Sequence, residues 1–161
     1  MSDSIVTARL VEAAFAIVEP TILLMMEAGQ VKRRSFHIVV PVPRTAPSYS
    51  ILYEKSIGKK EEWEASFDEI ARSKSAITWR TGLSSSYIAH CAPHLLEMND
   101  TIFWGSDILD ELVTAGSGVE PYYDEMFSGM NNLAIRALCK HRHTSDVNRV
   151  REMGKYLLSD A

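Results

Sequence analysis

The stretch Val113-Thr114-Ala115-Gly116-Ser117-Gly118-Val119-Glu120-Pro121-Tyr122-Tyr123-Asp124-Glu125-Met126 changes secondary structure within a few residues. A short β-branched piece at 113–115 runs into Gly116 and Gly118, two positions of free φ, and Pro121 suits the first turn of a helix, where its missing N–H has no partner to lose. Beyond it Met126, Phe127, Met130, Leu133, Ala134, Ala137 and Leu138 recur at helical spacing. The stretch reads as strand, turn, helix. Gly116, Gly118 and Pro121 set the angle of that helix on the sheet, and Asp124 caps or anchors it. Glu120, Asp124 and Glu125 already complement the positive end of the helix dipole and no P-loop lysine follows, which argues against a phosphate cradle. Ser117 lacks the G-x-S-x-G spacing of an esterase nucleophile.

Working outward, residues 4–28 carry apolar residues at Val6, Leu10, Phe15, Ile17, Ile22 and Met25 with a helical period and a glycine stop at Gly29. Pro20, lacking an N–H and clashing with the carbonyl of Ala16, is expected to kink or split this helix. Residues 36–40 and 49–53 are β-branched and aromatic runs that read as an antiparallel pair, joined by a loop bearing Pro41, Pro43 and Pro47. Residues 61–81 predict a helix with Trp63, Phe67, Ile70, Ala71, Ile77 and Thr78 on one stripe and Lys74 in its middle. Gly82 and three serines, 84–86, end it and cap a short helix reaching Cys91. Residues 101–104 and 112–115 are two further strand candidates. After Lys140 the chain is expected to form at least one more helical segment, a C-terminal extension over 140–161. Strands arrive in pairs instead of alternating singly with helices, so the fold class is α+β: one domain over 1–161, an antiparallel sheet flanked by helices.

Composition narrows the function classes. A chain of 161 residues buries roughly two-thirds of its unfolded surface in one core. The net charge of −4 provides no global field for nucleic acid or an acidic membrane surface. The apolar patch at 21–26 is far shorter than the ~20 residues that span a bilayer. Two widely spaced cysteines and the absence of a signal-peptide pattern fit a reducing cytoplasmic setting.

No acid–base pair or nucleophile emerges from spacing alone. Cys139, His141 and His143 resemble ligands, but only Cys139 and His143 share a helix face and no fourth ligand follows, so no metal site is assigned. His90 and His94 are separated by the helix breaker Pro93. Lys74 is the most informative residue, because a lysine inside an apolar stripe must snorkel, pair with a carboxylate or face a cavity.

Two segments resemble the GlcG/HbpS-like family, the haem-degrading domain that also forms the C-terminal half of PduO-type proteins. Residues 71–78, ARSKSAIT, resemble its helix motif A-x-x-K-A-x-T-A. Gly116-Ser117-Gly118, five residues and then Asp124-Glu125 resemble its G-x-S-G turn and the D-E of its last helix. Residues 103–108 stand where the family has a G-G-x-P-I strand, and the likeness spans about 5–138. It departs at Val39-Val40-Pro41-Val42-Pro43-Arg44, which lacks the aspartate and glycine of the family hairpin, and at residues 54–58, which replace an R-x-D-G-A segment. It also departs at Ala115, where the family has a glycine.

The resemblance implies a profilin-like sandwich, a homo-oligomer, and a small-molecule ligand of which haem is the best-named, with a corrinoid in one branch. The histidines admit one axial ligand. Tyr53, Trp104, Asp107 and His90 are the candidate ligand-binding residues. The rewritten loops leave open an enzyme acting on a small organic metabolite by general acid–base catalysis, a lyase, isomerase or hydrolase with Lys74 and His37 as its catalytic residues. A non-catalytic assembly subunit is the third alternative.

Overall fold

A computed structural model describes residues 4–154. The chain runs through α1 (Ala8–Glu27), β1 (Phe36–Pro41), β2 (Ile51–Ile57), α2 (Phe67–Thr81), α3 (Ser85–Cys91), β3 (Ser106–Leu109), β4 (Leu112–Ser117) and α4 (Pro121–Glu152), with short 3-10 turns at Lys60–Glu62 and Pro93–Leu95. The four strands form one antiparallel sheet in the order β2-β1-β4-β3. This is the α+β arrangement expected, with long helices at both ends of the chain.

β1 lies inside the sheet and all six of its residues are buried, because helices cover both of its faces. Strand alternation divides them. Phe36, Ile38 and Val40 join Val11, Phe15, Val18 and Ile22 of α1 and Phe127 and Ile135 of α4 in the main core. His37 and Val39 face the opposite side, where α2 packs on β1 and β4. The sheet is thus sandwiched between α1 and α4 on one face and α2 on the other.

Several local expectations are corrected. Pro20 neither ends nor splits α1, which is one helix of 20 residues capped by the Thr7 side chain. Pro20 and Ala16 both lie on the exposed side of α1, so the carbonyl that loses its donor faces water. The second helix begins only at Phe67. Trp63 stands before it and packs edge-on against His37, with ring centroids 6.0 Å apart. β2 starts at Ile51, two residues later than expected, and continues through Glu54, Lys55 and Ser56.

The strand expected at 101–104 is irregular instead, with Ile102 78% and Phe103 53% exposed. The strand forms at Ser106–Leu109 and turns back through Asp110 and Glu111, at φ 48° and 68°. These positive values are those of a two-residue hairpin turn whose twist matches the strands. Gly116 and Ser117 belong to β4, and the turn into α4 starts at Gly118. No break occurs at Lys140: α4 is a single helix of 32 residues reaching Glu152. The rest of the extension, 155–161, lies outside the described residues.

Gly118 carries the corner. Its φ is +137°, and a Cβ there would collide with the carbonyl oxygen of Ser35 in the lead-in to β1. Gly29, at φ +69°, has nothing within 4 Å of the same position. Gly118→Ala is therefore expected to cost more than ~2 kcal/mol in urea denaturation, against about 1 kcal/mol for Gly29→Ala. Equal costs would show that backbone conformation alone, without the close approach to Ser35, sets the requirement.

Candidate functional site

At the end of the sheet where β4 leaves for α4, an open cleft of about 180 Å³ forms between four segments. The start of α2 gives Phe67, Ile70 and Lys74. The lead-in to β1 gives Lys32 and Arg33, the loop before β3 gives Phe103 and Trp104, and the β4–α4 corner gives Ser117, Gly118, Val119, Pro121 and Asp124.

Lys74 forms the floor. The helical stripe that places Phe67, Ala71 and Thr78 against the sheet drives Lys74 inward as well, and only 1% of it is exposed. Its Nζ donates to the Gly116 carbonyl at 2.8 Å and to Asp124 Oδ2 at 3.1 Å, while Asp124 Oδ1 accepts from Val119 N–H at 3.2 Å. Asp124 thus joins the start of α4 to a lysine from another helix. Burial pushes the Asp124 carboxyl up to about 6, with the Lys74 charge opposing, and the same burial lowers the Lys74 ammonium.

The Trp104 wall is held from behind. Gly105 N–H donates to Ser85 Oγ at 3.0 Å and its carbonyl accepts from Ser128 Oγ at 2.8 Å. Gly105 sits at φ +146°, and a Cβ there would lie 2.5 Å from Asp124 Cβ and 3.0 Å from Lys74 Nζ. Only a glycine lets this loop close over the ion pair. Ser106 Oγ continues the network to Thr78 of α2 at 2.6 Å.

The other expected site residues are dispersed. His37 lies on the α2 face directly across from Ser117 in the β1–β4 register, but its ring engages β2. Nδ1 is 2.7 Å from Ser56 Oγ, and Nε2 is 3.5 Å from Glu54 Oε2, an ion-pair contact too long for a good hydrogen bond. Burial lowers its pKa, with Glu54 opposing. No hydrogen bond or ion pair joins His37 to Lys74 among the described residues. Tyr53 pairs with Val40 and its ring faces Phe15 of α1, on the opposite side of the sheet from Lys74. Asp107 faces α4, where Asn132 Nδ2 donates to its Oδ2 at 3.1 Å, and burial raises its pKa. His90 is exposed at the end of α3, edge-on to Trp104 with centroids 5.5 Å apart.

Of the residues singled out from the sequence, the structure therefore brings Lys74, Asp124, Trp104, Gly118 and Pro121 together, with His90 behind Trp104. It separates His37, Tyr53 and Asp107 from them. Lys32, Arg33, Phe67, Ile70 and Phe103 line the cleft without having been singled out as site residues. The basic run at 32–34 was the available signal for two of them.

Comparison with protein-family models, with curated proteins and with solved structures finds no match. Haem, the group implied by the resemblance, does not fit this cleft. Its volume is below the roughly 300–1,000 Å³ of ordinary ligand pockets. Its floor is an ion pair already satisfied within the protein, and neither His37 nor His90 is among its lining residues. Among the described residues no group of three or more His, Cys, Asp or Glu side chains is placed to hold a metal ion, and no helix is long and apolar enough to cross a membrane.

The raised carboxyl fixes the sign of a pH effect. Because the folded-state pKa of Asp124 lies above its ordinary 3.8, ionising it weakens the fold as pH rises towards and through about 6. Removing the Lys74 charge raises that pKa further. Lys74→Met is expected to cost about 3–5 kcal/mol near pH 8, where it strands a buried carboxylate. The gap from wild type should narrow near pH 5, where the carboxyl is neutral. Thermal denaturation across this range checks it, and a pH-independent gap would contradict the stranded-charge explanation.

Proposed function

We propose that the protein binds a small molecule in the cleft between α2, the lead-in to β1 and the β4–α4 corner. The observation that carries this reading is the lining itself. Apolar and aromatic walls meet a few polar groups that converge on one space, the usual composition of a ligand site. Membership of the GlcG/HbpS-like family is part of the proposal. It is supported by the two resembling segments being in contact, since the lysine of one pairs with the aspartate of the other. At this cleft the small volume favours a compact ligand over a tetrapyrrole.

A homo-oligomer is proposed on the same resemblance, supported by exposed Ile17 and Leu24 on α1 and Leu133 on α4. A cytoplasmic setting is proposed from Cys91 and Cys139, both free thiols. Titrating a library of compact fragments while recording backbone amide spectra tests the binding site. Saturable shifts confined to Trp104, Ser117 and Val119 are expected. A library that moves none of these amides would remove the reading.

One observation favours a second reading, general acid–base catalysis. Asp124, with its carboxyl pushed up to about 6, lines the cleft beside an ammonium lowered by burial. Groups shifted towards neutral pH in a cleft are candidates for proton transfer. A metabolite turnover that survives replacement of the pair by Met and Leu would exclude the pair from catalysis.

A further inference from the structure

The side of the α1–α4 layer that turns away from the sheet carries almost no charge. The two helices pack side by side and run antiparallel. Ile5, just before α1, lines a groove with Cys139 and His143 of α4, while Lys32, beyond the end of α1, donates its backbone N–H to the Glu120 carboxylate at the start of α4. Between Glu12 and Glu27, α1 has one charged residue, Glu19, held 2.8 Å from Lys55 Nζ of β2. Between Glu125 and Arg136, α4 has none. A helix side that stays in water ordinarily carries the charged residues of that helix.

This side exposes large apolar side chains instead. Ile17, Leu24, Tyr122 and Leu133 each leave more than half of their surface in water, and Leu23 and Met126 more than a third. Ile17 and Leu24 are seven positions apart, as are Met126 and Leu133, so each pair stands on one side of its helix. Together the six present roughly 600 Å² of surface, at the top of the range for the largest apolar patch on a lone monomer. With the exposed Ala13 and Ala16 added, the face approaches the ~800 Å² that one partner buries in a standard interface.

Composition decides the occupant. Charged residues are depleted and Tyr and Met enriched at the centre of protein interfaces, and homodimer interfaces are more apolar than transient ones. An uncharged face also meets its own copy without repulsion, as a two-fold contact between identical surfaces requires. Arg9, Glu12 and Glu27, all exposed towards the ends of α1, supply a polar rim.

We infer that a second copy of this chain covers the face, in a two-fold dimer that stacks the α1–α4 layers of two protomers with Ile17, Leu24 and Leu133 at the centre. The inference rests on the homo-oligomer proposed above and gives it an interface. It is separate from the cleft, none of whose lining residues belongs to the six. The Ala16 carbonyl freed by Pro20 is met by an interfacial water, since interfaces hold about as many bridging waters as direct hydrogen bonds.

Light scattering after size-exclusion chromatography, on the full chain from low to high micromolar concentration, tests the dimer. Twice the chain mass is expected, falling towards the chain mass on dilution. Ile17→Lys and Leu133→Lys should each weaken the dimer at least about a hundred-fold, because two-fold symmetry introduces each buried charge twice. Met98→Lys, at an exposed apolar residue outside the face, should leave it unchanged. All three positions are exposed, so the variants are expected to fold, which their amide spectra verify. A chain that stays monomeric throughout overturns the dimer and the homo-oligomer together and leaves the face to a different protein. An oligomer that withstands both Ile17→Lys and Leu133→Lys overturns this interface while the homo-oligomer stands.

Discussion

A lysine ammonium with 1% exposure has to be neutralised and hydrogen-bonded, and the way this fold does so organises one whole end of the molecule. Lys74 reaches from α2 to the Gly116 carbonyl on β4 and to Asp124 in the first turn of α4. One side chain thereby fastens a helix on one face of the sheet to the strand and to the helix that crosses to the other face. Asp124 in turn holds the Val119 N–H, which fixes the turn between them. Gly105 must approach both partners without a side chain, and Ser85 and Ser128 hold its backbone in place.

The cleft is a consequence of that corner. Lys74 of α2 and Asp124 at the start of α4 form its floor, and the space between Phe67, Trp104 and Ser117 opens outward beside Lys32. The floor of the site is a structural element of the fold, while the walls and mouth belong to loops and to helix ends. The fold requires Lys74, Asp124, Gly105 and Gly118 there, whereas Lys32, Arg33 and Phe103 are exposed or half-buried and contribute little to packing. The walls and mouth are therefore free to change without disturbing the fold.

Much of this was readable from the residues. Residues 36–40 gave β1 because β-branched and aromatic side chains in a row suit a strand covered on both faces. Lys74 stood out because an apolar helix stripe has no place for an ammonium without a partner. The partner was not readable: Asp124 lies 50 positions away, and its carboxylate looked like one of several complementing a helix dipole. β3 was misplaced because Ile102 and Phe103 look like strand residues but face solvent, while the true turn uses Asp110 and Glu111 at positive φ without a glycine or asparagine. Tyr53 was assigned to the site because β2 is an edge strand with little contrast between its faces, so its sequence does not reveal which side chains point towards Lys74. Ser117 was weighed only as a nucleophile, since its place on the cleft follows from the β4–α4 corner and not from local spacing.

The Lys74–Asp124 contact fastens this corner, and a double-mutant cycle of Lys74→Met, Asp124→Leu and the pair together, followed by urea denaturation at neutral pH, tests it most directly. Each single variant strands a buried charge and is expected to lose about 3–5 kcal/mol, while the double variant, apolar and of similar volume, should return to within about 1–2 kcal/mol of wild type. Additive losses, with the double variant as unstable as the two singles summed, would contradict the claim.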